Sequence, residues 1–157
     1  MRLPLLLATL STLGGCAVIG PTTVVDFEQG GYPDGGVLTG RFTGQDLDQD
    51  GKIRFDADVD NEQPEMFTFF ARYQSTSSTI EFGEDDLRTL TWSNGADVIG
   101  ASGDGQDGLS AINGNDTGLT ISGPGLPECG AGGVCGSVTI PGRTPFTTTF
   151  IAQRTQL

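Results

Sequence analysis

The chain contains no histidine. That absence removes Ser-His-Asp and Cys-His catalysis, and it removes imidazole-ligated zinc. Basic residues are scarce as well: Lys and Arg total 8 against 20 Asp and Glu, for a formal net charge of −12. The few cations are scattered, so no basic patch exists to read phosphate. Nucleic acid and anionic membrane surfaces are therefore poor partners, and cations are good ones. The apolar run from Leu3 to Leu10 is too short to hold a bilayer as a lasting span. Only three cysteines and one tryptophan are present.

What the chain does have is glycine, 25 residues of 157, with only 18% charged residues. This balance favours many short strands and turns over long helices. The length suits one domain. Strands are expected at Val24–Phe27, Val37–Thr43, Lys52–Val59, Met66–Tyr73, Thr79–Phe82 and Leu87–Trp92. Shorter ones are expected around Val98-Ile99, Leu119–Ile121 and Val138–Ile140, with a last strand from Phe146 to Gln153. Ile53, Phe55, Ala57 and Val59 alternate with polar neighbours, as do Phe67, Phe69, Ala71 and Tyr73, and period two with one apolar face is a half-buried strand. Turn clusters such as Gly30–Gly36 and Ser93-Asn94-Gly95 separate them. The expected fold is all-β: one antiparallel sandwich, or a barrel-like closure, over residues 24–157.

The sharpest local pattern is Asp46-Leu-Asp48-Gln-Asp50-Gly51-Lys52-Ile53. Three aspartates at every second position can turn inward around one ion while Gly51 takes the sharp bend, and oxygen-only ligands favour Ca²⁺. The stretch resembles the calcium loop of EF-hands and dockerins over about a dozen residues. That likeness implies Asp46, Asp48 and Asp50 as side-chain ligands, the Lys52 carbonyl as a backbone ligand, and Ile53 as the residue holding the loop to its neighbour. It departs at the end of the loop: the bidentate glutamate falls on Ala57, where Asp56, Asp58 or Glu62 would have to substitute. The flanking segments also read as strands, not helices. The competing reading is a solvated acidic β-turn closed by Asp50-Gly51.

At the N-terminus, Arg2 precedes the apolar run, which ends in Leu13-Gly14-Gly15-Cys16. This resembles the lipobox of bacterial lipoproteins. It implies a signal peptide at 1–15, lipid on Cys16, a tether at 16–23 and attachment to the membrane through that lipid. Ala17, where an aspartate would signal retention at the inner membrane, points to the outer membrane. An ordinary secretory signal is the competing reading. Residues 37–55 also resemble a recurring opening of exported bacterial β-proteins of the PEP-CTERM type, although the Pro-Glu-Pro tail is lacking. That likeness implies an exported surface protein and carries no catalytic residues.

Cys129 and Cys135 bracket five flexible residues and are expected to form a disulfide, since a metal or redox pair would lack partners. Asp104, Asp107, Asn113, Asn115 and Asp116 read as solvated loops. Glu62, Glu65, Glu81 and Glu84 are the carboxylates from which a glycoside-acting pair could be drawn. Tyr32, Tyr73 and Trp92 could line a sugar-binding face, although core is the simpler fate of Trp92 and of the Phe-rich strand from Met66 to Tyr73. The expected role is non-enzymatic: an exported, lipid-anchored envelope protein with a Ca²⁺ loop and a polysaccharide or envelope-protein partner. A carbohydrate- or matrix-binding module is second and a glycoside-acting enzyme third.

Overall fold

The computed structural model describes residues 20–59, 64–99, 108–123 and 129–155. Cys16 and the expected signal peptide lie outside these, as do Glu62, Asp104 and Asp107. Numbered along the chain, eleven strands among the described residues form two antiparallel sheets. In spatial order the first sheet runs β11 (Gln153–Thr155), β1 (Thr23–Gln29), β2 (Val37–Gly44), β4 (Met66–Gln74), β5 (Thr79–Phe82). The second runs β10 (Phe146–Thr148), β9 (Gly136–Thr139), β8 (Gly118–Ser122), β7 (Gly108–Ile112), β6 (Leu87–Ser93), β3 (Lys52–Asp56). No described helix is long and apolar enough to cross a membrane.

The sheets pack as a sandwich because alternate side chains of each point inward. Val25, Phe27, Leu38, Phe42, Phe69, Ala71, Tyr73 and Phe82 meet Ile53, Leu87, Leu90, Trp92, Leu109, Leu119, Ile121 and Val138 in one buried cluster. Phe42 and Trp92 meet edge to face across the sheets, with ring centroids 5.8 Å apart. Truncating either would cost about 3–5 kcal/mol, the usual loss for a buried aromatic. The chain passes from the first sheet to the second through the acidic loop between β2 and β3, so that loop sits at one end of the sandwich.

Five expectations are corrected. β3 stops at Asp56, because the Asp56 carboxylate accepts the Asp58 amide at 2.9 Å and turns the chain, leaving Ala57 and Val59 exposed. In β4 a register shift opposite Thr43 and Gly44 puts Met66 and Phe69 inside and Phe67 outside. The expected last strand is two: β10 and β11 belong to different sheets, and Phe150 lies between them. β7 was not expected at all, since its sequence Gly-Leu-Ser-Ala-Ile borders a glycine-rich run that reads as loop. Val98 makes only an isolated bridge to Gln153.

Candidate metal centre at the β2–β3 loop

β2 ends against β4 in an approach that only glycine permits: a Cβ on Gly44 would lie 2.6 Å from the Glu65 carbonyl oxygen and from Ile53 Cγ2. Ile53 is fully buried opposite Trp92, which anchors the outgoing arm. Between these anchors the backbone takes left-handed turns at Gln49 (φ 61°) and Gly51 (φ 86°).

Each aspartate spends one carboxylate oxygen on the loop's own amides. Asp46 Oδ2 accepts from Gly51 N at 2.9 Å, Asp48 Oδ1 from Asp50 N at 3.1 Å, and Asp50 Oδ1 from Lys52 N at 3.0 Å. These bonds fold the loop inward, so that ligand oxygens of all three lie within 4.8 Å of one another. Asp48 and Asp50 are exposed and Asp46 is half-buried. Asp46 Oδ1 is buried and has no hydrogen-bond partner among the described residues. A buried carboxylate oxygen without a donor is costly unless a cation meets it.

Two further residues shape the site, and neither is identified by the aspartate spacing. Glu65, immediately before β4, accepts Leu47 N at 3.1 Å through Oε1 and Arg54 N at 2.9 Å through Oε2, clamping both arms of the loop. Arg54 turns its guanidinium onto Asp50 Oδ2. Partial burial pushes the Asp50 carboxyl up, but the hydrogen bond and charge of Arg54, with the Lys52 amide, outweigh it and hold the group below the ordinary 3.8. The strand alternation shows that Arg54 faces outward. Only the long-range pairing of β2 with β4 brings in Glu65.

Of the six residues expected to hold a metal, Asp46, Asp48 and Asp50 converge. Lys52 opens β3, paired with Ser93. Asp56 and Asp58 lie at the far end of β3, engaged with each other, and are not in the group. Cys129 and Cys135 form the disulfide. Tyr32, Tyr73 and Trp92 are all buried: Trp92, and Tyr73 on the Phe-rich strand, are core as expected, and the three do not form a sugar-binding face. Among the carboxylates considered for catalysis, Glu65 is the clamp and Glu81 pairs with Arg72 on the surface. Glu84 lies exposed in a 3-10 turn. Asn113 accepts the amides of Asn115 and Thr117, making the link from β7 to β8 a solvated turn.

The molecule is thus a two-sheet β-sandwich with a disulfide and an acidic cluster at one end. Comparison with protein-family models, with curated proteins and with solved structures finds no match.

Proposed function

We propose that the chain is a non-enzymatic, lipid-anchored protein of the bacterial envelope whose sandwich carries a Ca²⁺-binding loop. The observations that carry the calcium reading are the convergence of Asp46, Asp48 and Asp50 and the buried Asp46 Oδ1, which has no hydrogen-bond partner among the described residues. The donor set fits: it is all oxygen, and the formal charge of −12 attracts divalent cations to the whole surface. A bound ion supplies the positive charge that lets three carboxylates share one small volume. Asp46, Asp48 and Asp50 hold it, Gly51 makes the bend, and Glu65 keeps the two arms at fixed separation. Without a bidentate glutamate at Ala57, affinity falls in the ~10⁻⁴–10⁻³ M range of extracellular modules.

Calcium calorimetry on the exported chain tests this. Saturable heat in that range, abolished by Asp48→Ala, is the expected result; silence at millimolar calcium reduces the loop to a solvated turn. The anchor rests on Leu13-Gly-Gly-Cys16. Cys16→Ser is expected to move the chain out of the detergent phase on phase partitioning, and a variant that stays there refutes lipid attachment at Cys16.

A further inference from the structure

We propose that Arg54 is a tethered competitor for the cation, setting the concentration at which the loop fills. This rests on the calcium reading above and adds how the site is regulated. β3 buries Ile53 and turns Arg54 outward beside the loop, and Glu65 fixes the Arg54 backbone amide at 2.9 Å. From that fixed point the guanidinium reaches Asp50 Oδ2. Asp50 Oδ1 is already held by the Lys52 amide, so Arg54 takes the oxygen that Asp50 would otherwise turn toward an ion. The carboxylates of Asp48 and Glu65 also attract it.

A guanidinium is a poor substitute for a spherical ion. It is planar, and it bonds Asp50 in the cluster, while Asp46 Oδ1 stays buried with no hydrogen-bond partner among the described residues. Filling the site therefore requires Asp50 to exchange Arg54 for the ion. That exchange is cheap: the side chains of Arg54 and Asp50 are 42% and 36% exposed, so the pair is screened and Arg54 can swing into water. Arg54 thus weakens the site without closing it, as suits a loop that fills only where calcium is plentiful.

The test is calcium calorimetry on the exported chain at low salt, comparing the wild type with Arg54→Gln and Arg54→Lys. Arg54→Gln is expected to bind about three- to tenfold more tightly, as loss of an exposed ion pair and of one nearby positive charge implies. Arg54→Lys, which keeps the charge, is expected to stay near the wild type. In chelator Arg54→Gln should melt below the wild type, widening its calcium-dependent shift. A wild type that binds calcium while Arg54→Gln binds equally or less tightly overturns the competitor role and leaves the calcium site standing. No binding by any of the three chains up to about 10 mM overturns the site itself, and the competitor role with it. Binding by Arg54→Gln alone supports both.

Discussion

Beyond the two ends of β2 stand Asp34 and Asp46, each with one buried oxygen that has no hydrogen-bond partner among the described residues, yet their surroundings are opposite. Before β2, Asp34 Oδ1 accepts Gly36 N at 3.1 Å and the Tyr73 hydroxyl. After β2, Asp46 stands among two more aspartates. The Asp34 end is built from neutral donors. Gln29 Nε2 donates to the carbonyls of Cys135 at 3.1 Å and Phe150 at 2.7 Å, while Tyr32 donates to Gln29 Oε1 at 2.8 Å. This network ties β1 to the residue just before β9 and to the segment after β10, and it reaches the disulfide at Cys135. Gly36 is obligatory, because a Cβ there would sit 2.1 Å from the Tyr73 hydroxyl oxygen. A single carboxylate among phenols and amides locks the fold and has no use for an ion. Three carboxylates with one guanidinium, bound to Asp50, retain excess negative charge, and their stability depends on what the solution supplies.

The strongest way to break this contrast is to damage the locked end and ask whether calcium notices. Tyr73→Ala removes a fully buried ring and the hydroxyl that meets Asp34. It is expected to cost about 3–5 kcal/mol, by the same amount in calcium and in chelator. Denaturant melts in both conditions check this. A loss that differed between them by more than about 1 kcal/mol would mean that the two ends are coupled, against the usual additivity of distant sites.

The next effect in size belongs to the other end. At about 10 mM calcium the wild type is expected to gain about 1.4–2.7 kcal/mol over chelator, from mass action at the affinity argued above. Asp48→Ala should abolish the gain. Tyr73→Phe, which keeps the ring and removes only the hydroxyl, should keep it. Equal responses from these two variants would erase the distinction between the ends.

How far each end is legible in the sequence follows from the range of its contacts. Asp46, Asp48, Asp50 and Gly51 interact within five residues, so spacing alone delivers the loop. Ile53 is likewise readable from period two. The locked end is built at long range: Gln29 reaches Cys135 across 106 positions, and Asp34 meets Tyr73 across 39. Nothing local marks Gln29 as buried, and although alternation puts Tyr73 on the apolar face of its strand, nothing nearby in the chain pairs Tyr73 with Asp34 or Tyr32 with Gln29. The same reasoning separates the strands. Alternation exposes the Ile53 face of β3, but its stop at Asp56 depends on one side chain capping its own turn. The split between β10 and β11 depends on which sheet each one joins, and a short run of residues contains no record of that.

The smallest expected effect separates the ends by pH. Acid does not discriminate. Burial pushes Asp34 up, but the Tyr73 hydroxyl and the Gly36 amide outweigh it, so Asp34 and Asp50 both titrate below their ordinary 3.8. A depressed carboxylate stabilises above its unfolded value and loses that contribution as pH falls through the folded one, and one such group sits at each end. Alkali does discriminate, because the phenols lie at one end only. Burial first, then Asp34, through its charge at Tyr32 and through its hydrogen bond and charge at Tyr73, raises both phenols well above their ordinary 10.0. Between that value and the raised one the unfolded chain has lost a proton that the native chain keeps, so stability falls as pH rises. Both contributions are whole below about pH 10 and decline above it. Tyr73→Phe is expected to flatten this alkaline limb by removing one of the two groups, whereas Asp48→Ala should leave it as steep as in the wild type. Melts from pH 9 to 12 in chelator decide the matter: a limb flattened by the loop variant would mean that charge at the loop reaches the phenols through the whole length of β2.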